Sequence, residues 1–337
     1  PAAGRNPLWL RAVASAQVAF EPTFDIAGYR AFAKETRSGW VIPSLPTRLP
    51  LVVGRTGRVK AVVSNRGSAA ASGEVTLMTP AGVRLVSPAK VTVPAGGSVE
   101  ATLDVEVSPT ALAEGRHSAR VPVQAKATLG GIESEDGAEM YLLPSLVAPR
   151  VSTPPKIDGD LGDMAGFASA EIGPQDVWWR QAAKDASDLS AQFKVAYDAK
   201  FLYVGAHVRD DAVICNIAPD DVKAQLRSDA IGITVDPSGA SRDTSTTLQA
   251  AAFPCTTAGF GARGFRDADA RQGLMEETAP GMQVVSKKTA DGYDMEFAIP
   301  WAAMPKQPVP GDEIGLNVVL YDRDDRNGRV GANISKT

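Results

Sequence analysis

Short runs of alternating apolar and polar residues, separated by turn residues, dominate this 337-residue sequence from about Leu45 onward. The runs Gly57–Asn65, Gly73–Met78 and Val91–Val93 are typical, and each is followed by a segment rich in Gly, Pro or Arg-Gly. Because side chains alternate between the two faces of a strand, such runs predict strands that bury one face. We therefore expect a mainly β protein built from stacked sheets.

The strand-like runs fall into two groups, separated by a proline-rich segment. Residues 45–145 contain about six or seven short runs with small turns, which predicts an antiparallel sandwich of the immunoglobulin type. Residues 146–156 predict a semi-rigid linker because prolines recur there. Residues 157–337 include two alternating runs around a turn, Leu189–Val208, and predict a second and larger β-sandwich.

The first 44 residues differ from the rest because apolar residues recur at spacings of three and four. The stretches from Trp9 to Phe20 and from Ile26 to Lys34 predict two short helices, with Pro22 breaking the chain between them. Two short helices have no core of their own and must pack on something else. We expect residues 1–44 to form a helical arm that packs either on the domain that follows or on an absent preceding domain. Because the sequence begins with Pro1 instead of Met, the arm is interpreted as the tail of an absent catalytic domain.

Composition argues against several functions. The 35 Lys and Arg residues against 39 Asp and Glu residues leave a net charge of −4, which gives no basic surface for nucleic acid. No apolar run approaches the ~20 residues of a membrane-spanning helix. The two histidines, His117 and His207, and the two cysteines are too few for a multi-histidine or Cys-cluster metal centre. Because His117 has no companion acid or nucleophile nearby, no triad is proposed, and we expect this chain not to be an enzyme.

A series of short motifs in residues 157–337 resembles the family 9 carbohydrate-binding modules and the related DOMON-like sandwiches. In chain order the motifs are Ile157–Leu161, Phe193–Asp198, Leu202–Val204, Val208–Asp211, Ser228–Ile231, Asp236–Pro237, Asp291–Tyr293 with Glu296, Ile299–Trp301, and Gly311–Asp312 with Ile314–Asn317. The order of strands and turns before residue 145 resembles the immunoglobulin-like spacers that accompany sugar-binding modules in bacterial glycan-active enzymes. The resemblance implies a carbohydrate-binding β-sandwich, C-terminally incomplete at Thr337. Trp301 is expected to fill the core because its surroundings in the sequence are apolar.

The resemblance implies a terminal sugar held between two tryptophans, with Glu, Arg and Asn bound to its hydroxyls. In this sequence the first tryptophan falls on Leu226 and the glutamate on Gly232, while the Arg and Asn fall near Gln249 and Ala251. The second tryptophan belongs to a segment after Thr337. The usual clamp is therefore missing from this chain or lies beyond it.

Two adjacent tryptophans and one glutamine are the remaining candidates for sugar contact. Trp178 and Trp179 precede the predicted hairpin, and Gln249 lies in the strand that carries the polar contacts in the family. Since adjacent strand residues point to opposite faces, at most one of the two tryptophans can line a given surface.

The resemblance also implies structural calcium, which prefers carboxylate and carbonyl oxygens. We expect Asp210, Asp211 and Asp229 to form the site, with an alternative in which these residues cap turns. A second acidic run offers the same two interpretations, and it comprises Asp158, Asp160 and Asp163. A third acidic run is expected to form a solvated turn, because arginines alternate with its residues Asp322, Asp324 and Asp325.

Three further residues leave alternatives open. Cys215 and Cys255 are expected at neighbouring strand ends of this fold, either as a disulfide in an exported protein or as two buried thiols. His207 is expected to be a strand histidine with hydrogen-bond partners. Haem binding, as in some DOMON relatives, is the alternative, although no second axial ligand is apparent.

We therefore expect a non-catalytic carbohydrate-binding accessory region of a secreted bacterial carbohydrate-active enzyme. Its partners would be a glycan or oligosaccharide and the parent catalytic domain, which resembles an LmbE-like sugar de-N-acetylase, a glycosidase or a polysaccharide lyase in domain order. The alternative is a degenerate module with a structural or partner-docking role, which Leu226 and Gly232 favour because they replace sugar-binding residues.

Overall fold

A computed structural model describes most of the chain. The described residues are 14–21, 26–38, 47–112, 118–179, 183–221, 227–239, 241, 244–266, 273–324 and 333–336, with backbone alone for 178, 179 and 333–336. They cluster into two compact units, and the change from the first to the second comes at Pro144. No helix in the described part is long and apolar enough to cross a membrane.

The first unit contains nine strands and one helix within its described residues. The strands are β1 (Ala16–Phe20), β2 (Arg48–Val52), β3 (Thr56–Asn65), β4 (Ala71–Met78), β5 (Val83–Leu85), β6 (Ala89–Val93), β7 (Ser98–Val107), β8 (Ala119–Leu129) and β9 (Ile132–Leu143). They form a four-stranded sheet in the order β1-β3-β7-β5 and a five-stranded sheet in the order β2-β9-β8-β4-β6. Alternate residues of both sheets share one apolar core, so the predicted β-sandwich is confirmed, while its immunoglobulin-like character stays a prediction.

The N-terminal segment corrects one expectation and confirms another. The helix expected to end at Phe20 is wrong for its described part, because Ala16–Phe20 is a strand paired with β3. Its other edge is bound by side chains of β9, since the N–H groups of Val18 and Phe20 donate to Ser134 Oγ and Asp136 Oδ2, each at 2.8 Å. The second predicted helix is present as α1 (Ala27–Glu35).

The second unit contains twelve strands among the described residues. They are β10 (Ala168–Ile172), β11 (Val177–Trp179), β12 (Leu189–Tyr197), β13 (Phe201–Asp210), β14 (Ala230–Asp236), β15 (Leu248–Thr256), β16 (Gly259–Arg266), β17 (Gly273–Leu274), β18 (Gln283–Lys288), β19 (Gly292–Pro300), β20 (Gly315–Asp322) and β21 (Asn333–Lys336), with a short helix α2 (Met275–Thr278). Five form a sheet in the order β10-β12-β13-β19-β18, and seven form a sheet in the order β11-β21-β20-β14-β15-β16-β17.

The two sheets of the second unit pack around one large apolar core, as expected for a sandwich. Trp301 belongs to this core, and its indole N–H donates to the Asp198 carbonyl at 3.0 Å, so the expected packing role is confirmed. Part of the predicted linker is joined to this unit, because Val151 donates its N–H to the Tyr197 carbonyl and Tyr197 donates to the Pro149 carbonyl.

Candidate functional site

Three buried aspartates meet at one end of the second sandwich. Asp210 ends β13, Asp229 immediately precedes β14, and Asp322 ends β20, so both sheets contribute to the group. Their side-chain oxygens lie within 4.8 Å of one another, and the three residues are 5%, 0% and 2% exposed. We call Asp210, Asp229 and Asp322 the acidic triad.

The acidic triad is electrostatically unfavourable without a positive charge. Burial raises the pKa of Asp210 to about 7, with further contributions from the charges of Asp324, Asp211 and Asp188. Burial and the charge of Asp210 raise the pKa of Asp229 well above its usual value. Carboxylates so placed bind protons or a cation because their mutual repulsion is strong in a poorly solvated site.

Backbone donors fix the orientation of Asp229 within the acidic triad. One carboxylate oxygen accepts the N–H of Arg323 at 2.8 Å, and the other accepts the N–H of Ile214. Asp210 is held by the N–H of Ala212 at 2.8 Å. The arrangement is an oxygen-only set of hard ligands without His or Cys, which suits calcium better than zinc or copper.

A second acidic group lies beside the triad and divides the set expected from the sequence. Asp211 joins Asp188 and Asp324, and the oxygens of these three also lie within 4.8 Å of one another. Asp188 is buried, whereas the other two are exposed. The structure therefore brings Asp210 and Asp229 together with Asp322 and places Asp211 in the neighbouring group.

The expectation that Asp322 lies in a solvated turn is wrong. Asp322 is the last residue of β20 and its side chain is buried beside Asp229. Asp324, two residues later, is exposed, and Asp325 lies outside the described residues. The Asp/Arg pattern gives no sign of this difference, because burial here depends on strands that are distant in sequence.

The acidic run in residues 158–163 agrees with the alternative in which aspartates cap a turn. Asp158, Asp160 and Asp163 accept backbone N–H groups of their own loop, from Asp160, Gly162 and Lys156 respectively, at 2.8–3.1 Å. The loop is tied to the sheet by Glu296, because Glu296 Oε2 accepts the N–H groups of Asp158 at 2.8 Å and Gly159 at 2.5 Å. These three aspartates do not form a three-carboxylate cluster with one another.

A disulfide anchors the segment that follows the triad residue Asp210. We call residues Asp211–Asp221 the capping segment. Cys215 of this segment is bonded to Cys255 of β15, with their Cα atoms 5.1 Å apart, which decides between the two alternatives left open by the sequence. Ile217 of the capping segment packs in a small apolar cluster with Phe253 and Phe265 on the outer face of the seven-stranded sheet.

The outer face of the seven-stranded sheet carries Gly232, Gln249 and Ala251, where the resemblance leads us to expect the family sugar contacts. The register places Gln249, Thr234 and Asn317 in one row across β15, β14 and β20. In the neighbouring row Gly232 and Ala251 are in register, and the larger Val319 and Phe265 flank them on β20 and β16. Since adjacent strands lie about 4.8 Å apart, the polar row borders a recessed strip that is only two residues wide.

An aromatic ring lies on the other side of this recessed strip. Tyr321 is half-buried, packs beside the Phe253–Phe265 cluster, and lies so close to Gly232 that a Cβ there would be 3.2 Å from its ring. Asn317 Oδ1 is buried and has no hydrogen-bond partner among the described residues. We call Gly232, Thr234, Gln249, Asn317 and Tyr321 the outer patch.

The remaining predicted residues are only partly described. The backbones of Trp178 and Trp179 lie in β11, and Trp179 is in register with Ile334, which is in register with Tyr321. The side chains of both tryptophans, and Leu226 and His117 entirely, lie outside the described part. The sequence alone does not indicate Asn317 and Tyr321 as candidate contacts, because only the register of β20 shows that they border Gly232.

The second histidine has carboxylate partners on the outer face of the five-stranded sheet. His207 Nδ1 lies 2.7 Å from Asp294 Oδ1, and Nε2 lies 3.4 Å from Asp291 Oδ2. Asp291 also pairs with Arg209 at 3.3 Å. This agrees with the expectation of a strand histidine with a hydrogen-bond partner, while the alternative of haem binding stays a prediction.

Comparisons with known proteins give one family and several solved structures. Residues 157–336 match the family model described as "Carbohydrate family 9 binding domain-like". Two family 9 carbohydrate-binding modules from Caldicellulosiruptor kristjanssonii, solved with cellotriose and with glucose, are 20% and 21% identical to the chain. These alignments cover 56% and 55% of this chain and 82% and 83% of the modules, with TM-scores of 0.40 and 0.35.

A third structure aligns over a smaller share of the chain. A FixG-related protein from Vibrio parahaemolyticus is 12% identical over 40% of this chain and all of that protein, with a TM-score of 0.24. A search of curated proteins found no match.

Proposed function

Because this chain belongs to the carbohydrate family 9 binding domain-like family, a family of non-catalytic carbohydrate-binding modules, we propose that it binds a glycan or oligosaccharide at the outer patch. The observation that carries the proposal is the row of Asn317, Thr234 and Gln249 beside a recessed strip and an aromatic ring. Sugar rings present apolar C–H faces and a polar rim, so they fit a ring next to hydrogen-bonding amides.

Three properties of the outer patch support this proposal. Tyr321 offers an aromatic side chain that is only partly covered by its neighbours. Asn317 and Gln249 each carry both donors and acceptors, which matches the mixed chemistry of sugar hydroxyls. Gly232 has no side chain, which lets the Tyr321 ring lie close to the sheet beside the polar row. Trp178 and Trp179 remain proposed contacts at the far end of the same sheet.

Binding of the whole chain to a panel of oligosaccharides and soluble polysaccharides tests the proposal, with affinity electrophoresis or calorimetry as the measurement. Tyr321→Leu keeps apolar volume but removes the ring, and Asn317→Ala removes the amide. Each is expected to weaken binding about tenfold, which corresponds to about 1.4 kcal/mol. Gln249→Ala should also weaken binding, whereas its matched control Gln192→Ala, on the exposed face of the other sheet, should leave affinity unchanged.

Retention on no glycan of the panel would contradict the proposal and leave the degenerate, structural role as the better explanation. Binding that survives both Tyr321→Leu and Asn317→Ala would move the site away from the outer patch. The two tryptophans of β11 would then be the next residues to change.

We propose further that the acidic triad holds a calcium ion. Support comes from the proximity of its carboxylate oxygens, the burial of Asp210, Asp229 and Asp322, and the raised pKa of two of them. A bound cation would join the ends of β13, β14 and β20 and so brace both sheets where the outer patch begins.

Calcium-dependent thermal stability tests this second proposal. At a free calcium concentration of a hundred times Kd, the folded protein should gain about 2.7 kcal/mol. Asp229→Asn should abolish that gain, and Asp160→Asn in the turn-capping loop is the control that should retain it. A gain that Asp160→Asn removes and Asp229→Asn does not would assign the ion to the other loop.

The wider setting is also a proposal. We propose that the chain is the accessory region of a secreted bacterial carbohydrate-active enzyme whose catalytic domain is a sugar de-N-acetylase, a glycosidase or a lyase. The disulfide Cys215–Cys255 supports export, because such bonds persist in oxidising compartments. Thiol labelling of the native protein after cell fractionation tests this, since a reduced protein in the cytoplasmic fraction would contradict it.

A further inference from the structure

We propose that the Cys215–Cys255 disulfide and cation binding by the acidic triad are thermodynamically coupled, with Ile214 as the positioning residue between them. The inference rests on the proposed calcium site and adds a redox property to it. Oxidation of the two cysteines should strengthen cation binding, and a bound cation should make the disulfide harder to reduce.

The coupling follows from the position of Ile214 in the chain. Ile214 precedes Cys215, so the disulfide to β15 restrains the peptide next to it. The N–H of Ile214 donates to Asp229 Oδ2, and its carbonyl accepts the Ser228 hydroxyl at 2.5 Å. One residue is therefore bonded on both sides to the segment that carries Asp229.

Because they are buried, Ile214, Ser228 and Asp229 have no water molecules of the bulk solvent as alternative hydrogen-bond partners. Ile214 is 4% exposed, and Ser228 and Asp229 are fully buried. If Ile214 moves, no bulk water takes over its bond to the Asp229 carboxylate. Because hydrogen bonds to an ionised carboxylate are stronger than those to a neutral group, the loss falls on the ionised form that a cation requires.

Other contacts limit the size of the effect. The capping segment is also held where Thr257 donates its N–H to the Ile217 carbonyl at 2.8 Å, and Arg263 donates to the Pro219 carbonyl at 2.9 Å. Reduction should loosen Ile214 without releasing the whole segment. We expect the cation affinity of the reduced protein to be about tenfold lower, within the usual range of coupling between sites.

Reciprocity supplies the second prediction. Reduction by dithiothreitol breaks the S–S bond and gives two thiols, Cys215 and Cys255, while two electrons and two protons pass from dithiothreitol, which closes to its cyclic disulfide. The equilibrium constant of this exchange should change by the same factor on cation binding as the cation affinity changes on reduction.

The experiment measures the exchange equilibrium of the whole chain in dithiothreitol buffers, with saturating calcium or with EGTA, by thiol labelling. Calcium should raise the required ratio of reduced to oxidised dithiothreitol about tenfold. Asp229→Asn should remove the calcium effect, and Asp104→Asn, an exposed residue of the first unit, should retain it. Ser228→Ala, which frees the Ile214 carbonyl but keeps the disulfide and the triad, should reduce the effect.

Terbium luminescence on the oxidised wild-type chain distinguishes failure of the coupling from failure of the proposed calcium site. Terbium binding that depends on Asp229, together with an exchange equilibrium that calcium does not change, would overturn the coupling and leave the calcium site standing. Absence of terbium and calcium binding would overturn both. An undiminished calcium effect in Ser228→Ala would show that general stabilisation, and not Ile214, links the two sites and would refute the inference.

Discussion

Replacement of Glu296 by glutamine should change how the stability of the second unit depends on pH. Glu296 lies in β19 with no exposed surface, and its Oε2 accepts two backbone N–H groups from the loop at Asp158 and Gly159. Its Oε1 is buried without a hydrogen-bond partner among the described residues. When the carboxyl group is ionised, only one of its two oxygens therefore accepts hydrogen bonds from the described residues.

Burial is the main reason that the pKa of Glu296 rises from 4.5 to about 7, and the charges of Asp163 and Asp158 add to it. The folded state then binds more protons than the unfolded state between these two values. The contribution of Glu296 to stability is fully present below pH 4.5 and is lost as the pH rises through 7. At about 1.36 kcal/mol per pKa unit, the loss amounts to about 3 kcal/mol.

Glu296→Gln removes the ionisation and keeps an oxygen for the two N–H donors. We expect the variant to be less stable than, or equal to, the wild type at pH 4.5 and to gain about 3 kcal/mol relative to it by pH 8. Urea unfolding followed by tryptophan fluorescence at a series of pH values measures this difference in the presence of EGTA. The exposed Glu171→Gln is the control variant.

A free-energy difference between Glu296→Gln and wild type that stays constant from pH 4.5 to pH 8 would refute the reasoning. It would mean that Glu296 keeps its ordinary ionisation inside the fold.

Two further predictions concern packing in the second unit. Gly292→Ala should destabilise the unit by about 3 kcal/mol or more in urea unfolding, because φ at Gly292 is +151° and a Cβ would overlap the Val208 carbonyl oxygen. Gly166→Ala is the matched control, since a Cβ at position 166 meets nothing within 4 Å. Trp301→Phe should cost about 2 kcal/mol in the same assay, since it leaves a cavity and removes the bond to the Asp198 carbonyl.

Local pattern was sufficient for the parts of the fold that consist of long alternating runs. The hairpin expected over Leu189–Val208 is present as β12 and β13, with its turn at Asp198. Here period-two alternation, aromatic residues and a turn-forming Asp all favour the same structure. Agreement between these signals explains the success.

The same reasoning failed at Ala16–Phe20 for an identifiable reason. Ala16, Val18 and Phe20 are buried, and the outer two of them are also four residues apart. The spacing of Ala16 and Phe20 fits one face of a helix, and the alanine content of the segment favours a helix, whereas all three residues fit one face of a strand. Pairing with β3 and the bonds to β9 decide for the strand, and neither is visible in the segment itself.

The outer patch shows why comparing family positions one at a time gives an incomplete answer. The resemblance places a glutamate of the family at Gly232, which considered alone predicts a lost sugar contact. In the structure the missing side chain leaves room for the ring of Tyr321, a diagonal neighbour on β20 and 89 positions away in sequence. A Cβ at position 232 would lie 3.2 Å from the Tyr321 ring, so a larger residue there requires the ring to shift, and the two positions have to be considered together. Gly232→Glu should then displace the Tyr321 ring instead of restoring the family contact, and it should weaken glycan binding in the same assay that tests Tyr321→Leu.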